Sequence, residues 1–259
     1  MTLRREGTRR PTHGKAYAVT IECHVADDGG NLVVMLTGTL GLRDVAPLRT
    51  RLLKCLAEHP DAVLVELTGL SVDEPLALAV FTAVVRQAAR WPGIPVLFCS
   101  PTATTRTLLN RGVFHRLPTF HSVAAARDHV GIDRRTLPSL SDELLPISGA
   151  ARQARNVATD ACLRWDLPHL VAPASLIVSE LVSNVIDHAH TMATLRLSLR
   201  RGYLNIAVWD GSPVGPVKAS GMASDVPSGR GLLLVEASAH SWGWLPSDGG
   251  KVIWASLAR

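Results

Sequence analysis

The stretch "ASLIVSELVSNVIDHAH", residues 174–190, places a carboxylate, an amide and an imidazole at steps of four in an otherwise apolar segment: Glu180, Asn184 and His188. In a helix of 3.6 residues per turn, positions spaced in this way share one face. An unpaired polar group in apolar surroundings costs about 2–7 kcal/mol. The stripe therefore predicts either a bound ligand or satisfaction by neighbouring backbone or solvent, and the spacing alone leaves both readings open.

A second polar feature is the segment "VWDGSP", residues 208–213, which follows a strand-like run. Asp210 ends the predicted strand and Gly211 opens the loop after it. A buried carboxylate at a strand end can accept a hydrogen bond from an exocyclic amine of a ligand, and it can equally cap a turn.

The third feature is "SGRGLLL", residues 228–234, in which Gly229 and Gly231 flank Arg230 at the start of a predicted helix. Glycines allow the backbone to approach phosphate groups, and a helix N-terminus supplies free N–H groups. Arg230 can add positive charge there. A Gly-x-Gly before a helix is common, and each feature alone favours an ordinary structural explanation. The ordered set of all three is much harder to obtain by chance.

The fold class predicted from the alternation of elements is α/β, in two domains. Residues 17–131 alternate strand-like and helix-like segments, which is typical of a mixed or parallel sheet covered by helices. Residues 132–146 contain "RRTLPSLSDELLP", without a clear period, and are predicted to be a linker. In residues 147–259 two helices precede a hairpin, a glycine loop, a helix and a last strand, which predicts a two-layer α/β sandwich.

Composition favours a soluble chain with no membrane association. Hydrophobic residues make up 47% of the 259 residues, but they are dispersed, and no run approaches the roughly 18 apolar residues of a membrane helix. The basic start, "MTLRREGTRRPTHGKAY", is predicted to be a disordered arm, because no apolar region follows it. The four cysteines lie far apart in apolar segments and are expected to be reduced core residues of a cytoplasmic protein: Cys23, Cys55, Cys99 and Cys162.

The net charge of +5 permits an acidic partner. Much of the excess lies in the predicted arm, and the other arginines are dispersed, without the interleaved aromatic residues that stack on bases. Direct nucleic-acid binding is therefore not predicted.

The three polar features, taken in order, resemble the GHKL or Bergerat-fold ATPases, and within them the anti-sigma-factor serine kinases of bacterial partner-switching systems. The resemblance covers about residues 146–259. "SELVSNVIDHAH" resembles the N box of that branch, "DGSP" its adenine-contacting segment, and "GRGLLLVEASAHSWGW" its second glycine box.

This resemblance implies ATP and Mg²⁺ as cofactors and a role for each residue. Asn184 would coordinate Mg²⁺, Glu180 would be the general base, and Asp210 would bind the adenine amino group. An asparagine carbonyl suits a hard cation, and a carboxylate can accept a proton from a substrate hydroxyl during phosphoryl transfer. The remaining cofactor-binding candidates are Gly229 and Gly231 at the phosphates, with Asp187, His188, Gly211 and Arg230 nearby.

The resemblance also has departures. Ser212 and Val214 stand where the first glycine box has its glycines, and Val252 stands where many relatives have a threonine that reaches the nucleotide. Such changes bear on affinity more than on fold. The pair "HAH", residues 188–190, does not predict a metal site, because positions i and i+2 do not face each other on a helix.

The first domain resembles the STAS fold of anti-sigma-factor antagonists, in which a serine at a helix start is phosphorylated by the partner kinase. The segment "LVELTGLSVDEPLALAVF", residues 64–81, stands where that family has its strand, turn and helix. Residues 74–77 offer no hydroxyl there, and Thr68 and Ser71 do not match the position. Pro75 suits a first helical turn, so the resemblance predicts a docking or regulatory module that has lost its phosphoacceptor.

Together the resemblances imply a bacterial regulator that binds Mg–ATP and either phosphorylates an antagonist or sequesters a partner according to nucleotide state. The implied partners are a sigma factor, a STAS-type antagonist or both, and a homodimer is allowed. A non-catalytic scaffold that keeps the folds without phosphotransfer is the alternative. A sensor histidine kinase core is less favoured, because no phosphoacceptor-histidine helix precedes the ATPase-like segment.

Overall fold

The computed structural model describes residues 21–132, 138–216 and 230–259. The predicted N-terminal arm and Gly229 lie outside these ranges. The described residues form two five-stranded sheets, each with helices packed on it, and the expected α/β class is confirmed.

The first sheet contains strands in chain order, with its first pair antiparallel and the others parallel. Parallel neighbours need a crossover, and a helix supplies each one. The strands are β1 (Ile21–Asp28), β2 (Asn31–Leu40), β3 (Val63–Val72), β4 (Val96–Cys99) and β5 (Thr119–Phe120). The helices are α1 (Val45–Ala57), α2 (Ala79–Arg90), α3 (Ala103–Leu109) and α4 (Val123–Ile132).

Short 3-10 turns complete this domain, and one of them, Pro75–Leu78, leads directly into α2. Phe81 of α2 and Phe98 of β4 are both fully buried, with ring centroids 4.8 Å apart. Helices α1 and α2 cover one face of the sheet and α4 covers the other. Accordingly β4 and the first three residues of β3 are continuous apolar runs, as buried parallel strands are.

The second sheet is antiparallel throughout, in the order β6-β7-β8-β10-β9. Its helices form a second layer on one face, as predicted for a two-layer sandwich. The strands are β6 (Ser139–Leu144), β7 (Ala193–Arg200), β8 (Tyr203–Asp210), β9 (Ser241–Ser247) and β10 (Gly250–Ala258). The helices are α5 (Ala150–Arg164), α6 (Val171–Asn184) and α7 (Arg230–Ser238), and a π-helical turn (Val185–Ala189) extends α6.

Two strands of this sheet were missed by the sequence analysis. The segment predicted as a linker contains β6, which pairs antiparallel with β7, and β9 lies after α7. Both are edge strands. Polar residues in β6 and Gly243 and Pro246 in β9 are tolerated at an edge, where they also hide the strand from a search for apolar alternation.

The helical segment Pro168–Ala189 is long and apolar enough to cross a membrane by composition alone. This corrects the expectation that no segment approaches that length. Its apolarity has a different explanation here, because Ile177, Val178 and Leu181 are fully buried in the core between the sheet and α5. A core helix of this kind passes the same compositional test as a membrane span.

The two domains pack against each other across the face of the second sheet that carries no helices. Trp91, from the end of α2, stacks on Trp254 of β10 with ring centroids 5.9 Å apart and planes 6° apart. It also lies 5.9 Å from the ring of Trp209 of β8. The Trp209 Nε1 donates a hydrogen bond of 2.9 Å to the carbonyl oxygen of Ala57 at the end of α1. We call Trp91, Trp209 and Trp254 the tryptophan cluster.

Titratable side chains also lie at the contact between the two domains. Lys54 Nζ of α1 lies 3.0 Å from Asp248 Oδ1 in the turn between β9 and β10. His59 contacts Trp91 edge to face, and burial, with the positive charges of Arg196 and Arg200, lowers its pKa from 6.5 to about 4. The His59 ring is therefore neutral in the folded protein near neutral pH.

Candidate functional site

The alternation of side chains along β8 and β10 assigns their residues to two faces. Val208 and Ile253 pack among the helices of the second domain, whereas Val252 and Trp254 pack with the first domain. Since side chains alternate along a strand, Asp210 and Lys251 lie on the helix-covered face, and their backbones are direct partners in the sheet.

Asp210 is held in a buried ion pair. Its side chain is 1% exposed, and Lys251, whose side chain is 7% exposed, places Nζ 2.9 Å from Asp210 Oδ1. The same oxygen accepts a hydrogen bond of 2.8 Å from the backbone N–H of Ser212. Lys251 Nζ also donates to the carbonyl oxygen of Ser212 at 3.3 Å. These contacts fix the orientation of the carboxylate before any ligand arrives.

Lys251 could not be recognised from the sequence. The resemblance placed Val252 at a position whose side chain reaches the nucleotide in many relatives, and the structure does not support that placement. Val252 is fully buried on the opposite face, in the core shared with the first domain. The one-residue difference matters because adjacent strand residues point to opposite faces. The available signal was the alternation of apolar residues in "KVIWASL", which assigns Ile253 and Lys251 to one face.

The end of β8 depends on close backbone contact. A Cβ atom on Gly250 would lie 1.9 Å from the carbonyl oxygen of Asp210, so only glycine fits at this position. The N–H of Gly211 donates a hydrogen bond of 2.9 Å to Thr191 Oγ1. Thr191 is a second residue that the sequence analysis missed, and it fixes the start of the loop that follows Asp210.

Glu180 and Gly231, which are far apart in sequence, come together where α6 meets α7. A Cβ atom on Gly231 would lie 2.3 Å from Glu180 Oε2. The carboxylate therefore lies against the backbone of the first turn of α7, and any larger residue at position 231 would displace it. This proximity was expected only from the order of the motifs, since no local pattern links the two positions.

Asn184 is the last residue of α6, one turn beyond Glu180. Its Nδ2 is buried and has no hydrogen-bond partner among the residues that the structure describes. An unsatisfied buried donor costs about 1–3 kcal/mol, and such a group in a polar stripe is where a ligand or an ordered water would bind.

The polar stripe does not continue regularly to His188. After Asn184 the helix becomes π-helical, and the N–H of His190 donates to the carbonyl oxygen of Val185 at 2.8 Å. The wider turn rotates the following residues relative to a regular helix, and Asp187 and His188 are both exposed. Their roles in cofactor binding stay predictions.

Of the glycine motif, the structure describes Gly231 and the backbone of Arg230, which begins α7. Gly229 and residues 217–228 of the predicted glycine loop lie outside the described ranges. Within those ranges no group of three His, Cys, Asp or Glu side chains is arranged to hold a metal ion. A Mg²⁺ ion bound through Asn184 would thus take most of its oxygen ligands from the nucleotide phosphates and water, as Mg²⁺ commonly does.

Comparison with known families agrees with this geometry. Residues 148–257 match the model of the histidine kinase-like ATPase domain. This segment is a histidine kinase-like ATPase domain. The match covers all the site residues, from Glu180 to Lys251. Among curated proteins none matches the chain.

Several solved structures resemble the chain and cover its N-terminal part. The anti-sigma factor antagonist SpoIIAA in its unphosphorylated form is 14% identical, with a TM-score of 0.38, and the match covers 44% of this chain and 100% of that one. An anti-sigma factor antagonist from Mycobacterium paratuberculosis is 19% identical, with a TM-score of 0.37, and the match covers 44% of this chain and 97% of that one.

The residues of the ATPase domain fit a nucleotide and its metal ion. The buried Nδ2 of Asn184 is an unsatisfied donor suited to a phosphate oxygen, and the carbonyl oxygen of the same amide is the atom suited to Mg²⁺. The Glu180 carboxylate lies at the start of α7, and Asp210 presents a pre-oriented carboxylate. An anionic phosphate near Glu180 requires a cation between the two charges, and Asn184 lies where it can help to hold one.

Proposed function

We propose that this chain is a cytoplasmic ATP-binding regulator of the partner-switching kind, in which the ATPase domain phosphorylates a serine or threonine of a protein partner. The observation that carries the proposal is the meeting of Glu180 with the first turn of α7 at Gly231, beside the unsatisfied amide of Asn184. A carboxylate, a metal-binding amide and a helix N-terminus are the groups that phosphoryl transfer needs in one place.

Each residue has a defined task in this proposal. The Asn184 carbonyl oxygen would bind Mg²⁺, while the first N–H groups of α7, with Gly229, Gly231 and Arg230, would hold the phosphates. Glu180 would accept the proton of the partner's hydroxyl as the hydroxyl oxygen bonds to the γ-phosphorus of ATP. The bond from that phosphorus to the β,γ-bridging oxygen would break, and ADP would leave.

The antagonist-like domain has a docking role rather than that of a substrate. The turn at Pro75–Leu78, where the phosphoacceptor would stand, contains no hydroxyl. Leu76 on this turn is 73% exposed, and the docking proposal assigns its side chain to the contact with a partner. The partner that supplies the hydroxyl is proposed to be a separate STAS-type antagonist, and the protein under control a sigma factor.

The position of the domain interface decides whether the first domain can block the proposed phosphoryl-transfer site of its own chain. The tryptophan cluster attaches the first domain to the sheet face opposite α6 and α7. A separate partner can therefore approach Glu180 while the two domains of one chain stay docked. The first domain would then act through the sheet rather than by covering the phosphoryl-transfer site.

A non-catalytic nucleotide switch is the second candidate, and the buried Lys251–Asp210 ion pair favours it. Ser212 and Val214 replace the glycines of the first glycine box, so the nucleotide is expected to be held differently from that of an active kinase. In this case ATP binding would change partner affinity without phosphoryl transfer.

Transfer of labelled γ-phosphate to a STAS-type protein separates the two candidates. The kinase proposal predicts transfer by the wild-type chain and its loss in Glu180→Gln, which keeps the size of the side chain and removes the proton acceptor. Glu143→Gln, on the exposed edge strand β6, is the matched control and should transfer normally. Saturable ATP binding without transfer to any STAS-type protein would contradict the kinase and support the switch.

A further inference from the structure

The Lys251–Asp210 pair has unused hydrogen-bonding capacity on both partners. A lysine ammonium has three N–H donors and a carboxylate has about four acceptor positions. Lys251 uses two donors, to Asp210 Oδ1 and the Ser212 carbonyl oxygen. Within the described ranges the hydrogen bonds to Asp210 all reach Oδ1. One lysine donor and the carboxylate Oδ2 are left for a ligand.

A donor and an acceptor side by side complement a particular edge of a heterocycle. In adenine the exocyclic amine, a donor, lies next to the ring nitrogen N1, an acceptor. Asp210 Oδ2 can accept a hydrogen bond from the amine, and Lys251 Nζ can donate one to N1. Because both groups are nearly excluded from solvent, a hydrogen bond from the charged ammonium is stronger there than at the surface.

Guanine is a poorer fit for the same pair. Guanine has a similar edge, because its O6 accepts and its N1–H donates, but its 2-amino group is a further donor next to N1–H. A carboxylate normally accepts these two donors with its two oxygens together. Asp210 Oδ1 already accepts two hydrogen bonds, from Ser212 N–H and from Lys251, which fills its lone pairs. One guanine donor would thus be left without a partner in a buried site, and an unmade hydrogen bond of this kind discriminates strongly between ligands.

We propose that Lys251 is a specificity-determining residue of the nucleotide site, and that its ammonium group donates a hydrogen bond to N1 of an adenine whose amino group is bound by Asp210. This inference rests on the proposed function, because it assumes that the ATPase domain binds a nucleotide. It goes further in assigning the base-reading role to a pair of side chains, one of which no motif marked.

The test is the affinity of the full-length chain for ADP, 1-deaza-ADP, 7-deaza-ADP and GDP, measured by calorimetry. In 1-deaza-ADP a C–H group replaces N1, so wild-type protein should bind it at least tenfold more weakly than ADP. 7-deaza-ADP keeps N1 and should bind like ADP. GDP should bind at least tenfold more weakly. Equal affinities for ADP and 1-deaza-ADP would overturn the proposal.

Variants add a second readout. Lys251→Met alone leaves a buried carboxylate unpaired, so the test variant is Lys251→Met combined with Asp210→Asn, which removes both charges. Its affinities for ADP and 1-deaza-ADP should be equal. Lys54→Met removes a different lysine–carboxylate pair, that with Asp248, and should keep the wild-type ratio of the two affinities. A ratio unchanged in the double variant would contradict the role of Lys251.

The outcomes separate this inference from the proposed function. If ADP binds and 1-deaza-ADP binds equally well, the role of Lys251 is wrong and nucleotide binding stands. If folded wild-type protein, checked by its cooperative thermal unfolding, binds no ADP at millimolar concentration, then both the proposed function and this inference are overturned.

Discussion

The two faces of the ATPase-domain sheet differ in nearly every physical respect, although the same strands build both. The helix-covered face ends in charged groups, Asp210 and Lys251, which form a buried ion pair at 2.9 Å. The other face carries Trp209 and Trp254, which pack on Trp91 of the first domain. One face presents a pre-oriented ion pair, whereas the other is an apolar domain contact.

This difference shows how a single strand can contribute side chains both to the candidate site and to the domain contact. Along β10, Lys251 belongs to the site and Val252 and Trp254 belong to the domain contact, because successive side chains point to opposite faces. A shift of β10 that tightened the tryptophan cluster would also move Lys251. The comparison therefore predicts that changes on the apolar face alter stability through packing, whereas changes on the polar face alter stability through unpaired charge and alter ligand binding as well.

The largest effect on stability is expected from Trp91→Ala. Trp91 is fully buried and contacts both other members of the tryptophan cluster. Truncation of a buried tryptophan costs about 3–5 kcal/mol, so chemical denaturation should show a large loss and separate unfolding of the two domains. Trp244→Ala, at a position that is 42% exposed on β9, is the control and should cost clearly less. Equal losses in the two variants would contradict a domain contact centred on Trp91.

On the polar face, Lys251→Met should cost about 3 kcal/mol of folding free energy, because removing one partner leaves the Asp210 carboxylate buried without its counter-ion. Adding Asp210→Asn should restore most of that loss, since the second change removes the unpaired charge. Denaturation curves of both variants measure the effect. A double variant as unstable as the single one would show that packing, rather than charge, explains the loss.

A smaller, pH-dependent effect is expected at the rim of the tryptophan cluster. The pKa of His59 is lowered from 6.5 to about 4 in the folded state, so between these values the unfolded chain binds more protons than the folded one. The free energy of unfolding therefore keeps its full value above about pH 6.5. It decreases by about 2–3 kcal/mol as the pH falls toward 4, because protonation favours the unfolded chain.

The free energy of unfolding measured from pH 7.5 to 4 tests this effect. His59→Asn should reduce the loss of stability on acidification, and asparagine tolerates the left-handed backbone at this position, where φ is 56°. The exposed His121, changed to asparagine, should leave the pH dependence unchanged. Identical pH profiles for wild type and His59→Asn would contradict the assignment.

The smallest effect is expected from the ion pair at the edge of the domain contact. Lys54 and Asp248 are 32% and 61% exposed, and solvent screens such pairs, so Lys54→Met should cost less than about 1 kcal/mol. The loss should shrink further in high salt, as measured by denaturation at two ionic strengths. A loss as large as that of Trp91→Ala would mean that charge, rather than apolar packing, holds the domains together.

Much of this organisation could be predicted from sequence. The alternation of elements predicted the α/β first domain, and the ordered polar motifs predicted the ATPase domain that the family match confirms. Asp210 was located correctly at the end of β8. These features are local in the chain, where periodicity and turn residues carry the signal.

The features that could not be predicted from the sequence depend on contacts between distant segments. The ion pair of Lys251 with Asp210 joins two strands, and a lone lysine at the start of an apolar strand resembles a surface residue. The tryptophan cluster joins two domains, and no spacing along the chain relates Trp91 to Trp254. The π-helical turn after Asn184 replaced the expected regular helix, because helix type at a terminus is decided by packing and not by the apolar period.

A titration with Mg–ATP by calorimetry, on the intact chain and on Asn184→Ala and Asp210→Asn, tests the central claim most directly. Asn110→Ala, at the exposed end of α3 in the first domain, is the matched control. The account predicts saturable binding by wild type and by the control, and binding weakened by roughly tenfold or more in the two site variants. An absence of binding by the folded wild-type chain at millimolar ATP, or undiminished binding by both site variants, would contradict it.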